Sequence, residues 1–230
     1  MSDRDDALHR WWPTTQALDL VEGSVETVAT AVAAEVTRFL KGEPVATSWE
    51  PFPDLDGAFG LAVEFANVPT VYLVLPTQSR WSVLWNNSFL CDGYDSLCWC
   101  LTKNHGLTTV HWSAHDNWTT FQPGACFVHR RKDGAGLLER SVYVAQEDRR
   151  WLFHETGVPL PEEDVPSYGT RRKRDRLNER AVIELLARLG ASPWSESFYA
   201  TGERLCFVLR RLHPPDTIIR RRASEVVRAG

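Results

Sequence analysis

No stretch of this sequence approaches the roughly 20 consecutive apolar residues that a membrane-spanning helix needs. The longest apolar run, 68–75, contains Pro69 and is the size of a strand. Residues 1–6 are mostly charged and include no apolar h-region, so no signal peptide is expected. Phosphate-binding signatures are missing as well: there is no GxxxxGKS/T, and no GxGxxG follows a strand-like run. The five cysteines are odd in number and their spacing suggests no disulfide framework, which predicts reduced thiols and a cytoplasmic protein. Nor do they form a zinc pattern. Cys98 and Cys100 point to different sides of a helix, and no partner pair accompanies them. Neither a metal nor a cofactor is expected.

What remains is an ordinary globular composition: 230 residues, 43% apolar and 24% charged, long enough to bury a substantial core. The formal charge is −4, from 26 basic and 30 acidic residues, which does not favour a general nucleic-acid binder. Ten tryptophans is a high count, and most belong in packing, where a large aromatic buries much area at low entropic cost.

Periodicity gives the order of elements. After an arm at 1–13, residues 14–21 read as a strand. Ser24 then caps a helix in which Val25, Val28, Ala29, Val32, Val36, Phe39 and Leu40 recur at helical spacing before Gly42. Strands are predicted at 45–49, 58–65, 70–75 and 81–85. The alternation of Phe59, Leu61, Val63 and Phe65 carries the second of these. A second helix is expected at 93–104, closed by Gly106, then strands at 107–113, 125–131, 138–145 and 149–154. A charged, helical run at 171–176 precedes a helix capped by Asn178 and ended by Gly190, and a last strand lies at 204–209. The fold class is therefore α+β, with antiparallel sheets backed by helices in the order β-α-ββββ-α-ββββ-α-β. Residues 14–212 form one domain, which divides at 90/91 if the order reflects two diverged α-ββββ units. Residues 213–230 form a basic tail.

Three groups of residues carry candidate functions. The first is a protein-binding surface: the loops at 49–57 and 112–121 set Trp49, Phe52, Trp112, Trp118 and Phe121 among Asp54, Asp56 and Asp116. Aromatics anchor interfaces and carboxylates speed encounter with a basic partner. The leading expectation is a non-enzymatic cytoplasmic protein that binds a partner protein, as an immunity or inhibitor protein binds a toxin. The second group is Cys91 with His111 or His115, a cysteine-dependent hydrolase or transferase. Cys91 sits ahead of the second helix, whose dipole acidifies a thiol, and the histidines lie on the following strand. That order is similar to the one in transglutaminase-like and papain-like hydrolases, without a family signature around Cys91. The other cysteines, Cys126 among them, need no function. The third group is Arg171, Arg172, Lys173 and Arg174, an anion-binding run within 171–176 that would make this a nucleic-acid-associated protein, and its weight depends on whether it meets Arg220, Arg221 and Arg222 in space.

Overall fold

A computed structural model describes residues 17–62, 64–90, 94–115, 124–134, 136–202 and 204–222, together with Leu8, Trp11, Thr14, Thr15 and Glu225. One antiparallel sheet of nine strands organises them. Its strands are β1 (Ala17–Glu22), β2 (Val45–Pro51), β4 (Val71–Pro76), β5 (Trp81–Asn86), β6 (Thr109–His115), β7 (Gly124–Asp133), β8 (Gly136–Glu147), β9 (Arg150–Thr156) and β10 (Leu205–Arg211). A separate pair joins β3 (Glu64–Ala66) to β11 (Arg220–Arg222). The spatial order is β2-β10-β4-β5-β1-β6-β7-β8-β9, so the first strand of the chain lies at the middle of the sheet. It pairs with β5 on one side and β6 on the other, and thereby joins the two runs of strands into one surface.

Among the described residues, four helices cover the two faces. Helix α1 (Val25–Phe39) has Ser24 as its N-cap, whose side chain accepts from Thr27 N, and it buries Val25, Val28, Ala29, Val32 and Val36. With Leu97 and Leu101 of α3 (Tyr94–His105) it covers Val21, Tyr72, Val74, Leu84, Phe207 and Leu209. On the opposite face, α2 (Leu55–Gly60) and α4 (Glu179–Arg188) cover Leu18, Leu20, Val83, Trp85, Val110 and Phe127. Two indoles there satisfy their N–H on backbone: Trp81 donates to Leu189 O at 3.0 Å and Trp85 to Thr14 O at 3.1 Å. Trp11 of the arm packs edge-on to Phe59 at 5.7 Å.

The sequence reading needs four corrections. Residues 58–65 are not one strand. Asp54 caps Gly57 N and starts helix α2, because Leu55, Ala58 and Phe59 bury at i, i+3 and i+4, and only Glu64–Ala66 is extended. The first four-strand run does not form a sheet of its own: β10 inserts between β2 and β4, and β3 leaves the sheet for β11. The tail residues Arg220–Arg222 are thus a strand. Finally, the run 171–176 makes a 3-10 turn at Lys173–Asp175 rather than an α-helix, its charges being exposed with no apolar stripe to dock.

Helix α3 is held by polar contacts from both ends. Arg130 of β7 donates from Nη2 to Asp95 in its first turn at 2.7 Å and from Nε to Glu139 at 2.6 Å. At the other end Glu35 of α1, 4% exposed, accepts from Asn104 Nδ2 at 2.9 Å and meets His105 Nε2 at 3.0 Å and the Arg38 guanidinium. Gly106, at φ 72°, then stops the helix and donates to Thr102 O.

Burial pushes the Glu35 carboxyl up, but the bonds from Asn104, Arg38 and His105 outweigh it and lower its pKa below the ordinary 4.5. Its contribution to stability is therefore present above about pH 4.5 and lost as the pH falls through the lowered folded value. Glu35→Gln is expected to cost ~1–2 kcal/mol at pH 7 in urea unfolding. The gap to the wild type should narrow as the pH is taken below 4.5.

Candidate functional site

The sheet face beneath α3 carries a polar chain across its three central strands. Cross-strand register places Asp19 of β1 opposite His111 of β6, and Ser113 of β6 opposite Cys126 of β7. Side chains two apart on a strand share a face, so Asp19, His111, Ser113 and Cys126 all point toward the helix. Asp19 is fully buried, and its Oδ1 lies 2.8 Å from His111 Nδ1. Cys126 lies one strand further on, on the same face and diagonal to His111 across the β6–β7 register. Ser113 Oγ lies 3.1 Å from Cys126 Sγ. From above, α3 supplies Tyr94, its ring 6.2 Å from that of His111, and the buried Cys98. The Tyr94 hydroxyl accepts from Asn86 N at 2.8 Å, which fixes the start of the helix against β5.

Each group's protonation follows from its neighbours. Burial alone would depress the His111 pKa. Hydrogen bonds to Asp19 and Cys126 and the two adjacent negative charges outweigh it, and His111 is raised from 6.5 to about 10. Cys126 moves the opposite way. Burial opposes ionisation of its thiol, yet the His111 hydrogen bond and charge, with the Ser113 hydroxyl, bring its pKa below the ordinary 9.0. The group is thus an imidazolium between a carboxylate and an acidified thiol. Cys98 is the contrast on the same face: burial first, and then the Asp19 carboxylate, raise its thiol well above 9.0. Asp19 Oδ2 has no hydrogen-bond partner among the described residues. His111 stands between Asp19 and Cys126, so the chain is linear. Among the described residues no three His, Cys, Asp or Glu side chains form a cluster that could hold a metal ion.

The structure distributes the residues singled out in the sequence unevenly. His111 is at the centre of the chain above, but it is bonded to Asp19 and stacked near Tyr94. Cys91 lies outside the described residues, as do Asp116, Trp118 and Phe121. His115 ends β6, four residues and about 13 Å along the strand from His111. Phe52 and Trp112, expected on a recognition surface, are instead core residues, 1% and 6% exposed. Phe52 packs on Tyr199 and Trp112 on Trp194, because each points to the face that α2 and α4 cover. Trp49 stays at the surface, 42% exposed on the edge strand β2 and edge-on to Phe207 at 5.3 Å. Asp54 and Asp56 follow it, both exposed; Asp54 caps α2, and Asp56 accepts from the Trp11 indole at 2.6 Å.

The arginine runs do not converge. Arg171, Arg172, Lys173 and Arg174 are exposed where the 3-10 turn packs on β8 and β9. Arg220 lines a cleft with Arg210 and Arg211, beside β4 and β10. From β4 to β8 is five strand spacings, about 24 Å.

Sequence reasoning passed over Asp19 and Cys126. One signal was present: Asp19 interrupts Leu18 and Leu20 in a strand that is otherwise core, and a carboxylate there requires a partner.

A histidine raised to about 10 from 6.5 contributes stability that is complete below about pH 6.5 and lost as the pH climbs through 10. In an NMR titration the His111 ring should still be protonated at pH 8, where exposed histidines have titrated, and Asp19→Asn should bring its midpoint down. Comparison of the chain with protein-family models, with curated proteins and with solved structures found no match in any of the three.

Proposed function

We propose that the protein binds a basic protein partner through the edge strand β2 and the acidic turn that follows it. The observation that carries this reading is Trp49. It is a large aromatic, 42% exposed, on a strand whose outer side pairs with no described strand. Leu205, 47% exposed on the neighbouring β10, extends the apolar ledge toward Glu26 at the start of α1. Acidic groups dominate the rim. Glu26, Asp54 and Asp56 are exposed and Glu50 is half-buried, and Arg204 is exposed beside Glu26. An unpaired strand offers backbone N–H and C=O groups to an extended segment, and a rim of carboxylates favours one rich in Lys and Arg. An inhibitor of immunity type, whose partner is a toxin, is the narrower form of this reading. The reading also takes the protein to be cytoplasmic. Cys98, Cys100, Cys126 and Cys206 are all free thiols, in keeping with a reducing compartment. No helix among the described residues is long and apolar enough to cross a membrane.

Photo-crosslinking from the native cell tests the reading. A crosslinking residue at Thr47, exposed on β2, should trap one basic protein that the same residue at Val158, 84% exposed and remote from β2, does not. Trp49→Ala should reduce the yield at position 47 at least about tenfold, as loss of an aromatic anchor does. Equal trapping at both positions, or a yield indifferent to Trp49→Ala, would contradict it.

A further inference from the structure

The cleft beside β4 and β10 measures about 290 Å³ and opens where these strands meet the small β3–β11 pair. Arg210 and Arg220 line it, and Glu64 is the acidic residue in its lining. Arg210 is half-buried and makes no ion pair among the described residues. Its Nη2 donates to Leu61 O at 3.2 Å, which ties the guanidinium to the end of α2, another wall of the cleft. Its Nε and Nη1 donors have no acceptor among the described residues. Arg220 Nη1 lies 3.8 Å from Glu64 Oε2, beyond hydrogen-bond distance, and both side chains are exposed. Arg211 also borders the cleft, but its Nη2 is committed to Glu43 at 2.6 Å, and it shares the α1 face of β10 with Leu209. Two guanidiniums thus stand against one carboxylate here, in a chain whose net charge is −4. The walls are held from beneath. Asn87, fully buried, accepts at Oδ1 from Thr70 N and Val71 N, both at 2.9 Å. Its Nδ2 donates to Glu64 O at 2.7 Å and to Thr70 Oγ1 at 2.8 Å, so one amide fixes three lining residues. Next to Arg220, Ile219 O accepts from Asn67 N at 3.1 Å and Ile219 N donates to Asn67 Oδ1 at 3.0 Å. Both cations are therefore positioned by the fold, which lowers the ordering cost of binding.

We propose that this cleft is a binding site for a small phosphate monoester, whose phosphate is held by Arg210 and Arg220. The planar fork of a guanidinium matches phosphate oxygens in paired, charge-assisted hydrogen bonds. The volume lies near the lower end of the range for small-molecule sites, and a lone phosphate would leave most of it to water. Leu61, Val71 and Pro214 supply apolar wall for the carbon part of an ester. Glu64 acts as a competitor for Arg220 and weakens the site. A nucleic acid fits less well, because its affinity grows with the number of phosphates neutralised. Only two cations are offered here, and the exposed run at Arg171–Arg174 packs on β8 and β9, across the sheet.

Isothermal titration calorimetry of the full chain at low salt tests the proposal, with glycerol phosphate, inorganic phosphate and a single-stranded oligonucleotide as probes. Glycerol phosphate should bind saturably with a Kd of ~1 mM or below, tighter than inorganic phosphate. Arg210→Gln should weaken it at least about tenfold and Arg220→Gln at least about threefold, as loss of a charged hydrogen-bond donor does. Arg171→Gln should leave it unchanged. Glu64→Gln should tighten it, a direction that damage to the fold does not produce. Circular dichroism checks each variant, and Arg220→Gln with Glu64→Gln carries the comparison if Arg210→Gln does not fold. The proposal is overturned if glycerol phosphate shows no saturable binding up to ~10 mM, or if the folded variants match the wild type. It is equally overturned if inorganic phosphate binds as tightly as the ester. An oligonucleotide that binds at least about tenfold tighter than the ester, and loses that affinity in Arg210→Gln, would make the cleft a nucleic-acid site instead.

Discussion

A carboxylate buried at the middle of a nine-stranded sheet is the constraint on which the surrounding arrangement turns. Asp19 sits on β1, the strand that joins the two halves of the sheet, and it is fully buried. An isolated charge in such a place would cost several kcal/mol, so the neighbouring strand has to supply a cation. It does so through His111, directly opposite in the β1–β6 register, and the charge placed on His111 in turn acidifies Cys126 on β7. Burial at one residue thus sets the protonation of two others, strand by strand.

Helix α3 is fitted to this chain rather than laid at random over the sheet. Its first turn brings Tyr94 onto His111 and Asp95 onto Arg130, its middle brings Cys98 toward Asp19, and its last turn is tied to α1 through Glu35. The apolar contacts of Leu97 and Leu101 hold the helix to the sheet, and the polar contacts fix where along the sheet it stops. Both are needed, since hydrophobic contact is non-directional and would tolerate a shift that charge-assisted hydrogen bonds do not. The proposed partner surface and the buried polar chain lie on separate parts of this frame. The partner ledge is on the outermost strand β2, and the polar chain is at the central strands β1, β6 and β7.

Much of the fold was legible in the sequence where the determinants are local. Ser24, the apolar stripe to Val36 and the stop after Leu40 mark α1, and Asn178 with Val182, Leu185 and Leu186 marks α4 in the same way. Where the chain misled, two periodicities competed or the partner was distant. The apolar residues of 58–65 fit an alternating strand, but the Asp54 cap and the burial of Leu55, Ala58 and Phe59 together decide for a helix. Nothing local announces that β10 slips between β2 and β4, or that Arg220–Arg222 pairs with Glu64–Ala66, since both depend on contacts more than 100 residues apart. The polar chain was illegible for the same reason. Cys126 alone looks like a small core hydrophobe, and it meets Ser113 only through the β6–β7 register, which a shift of one residue would destroy. Trp112 shows the converse: its neighbour His111 faces α3, so Trp112 faces the opposite core.

The central claim is that Asp19 and His111 form one coupled buried pair. A double-mutant cycle of Asp19→Asn and His111→Gln, read by urea unfolding at pH 7, tests it most directly. Each single variant should cost about 3 kcal/mol, because each leaves the other partner buried without its match. The double variant should cost less than the sum by more than ~1 kcal/mol. Additivity to within about 0.5 kcal/mol would contradict the account, since it would mean that the two groups contribute independently and that the charge on His111 does not answer the one on Asp19.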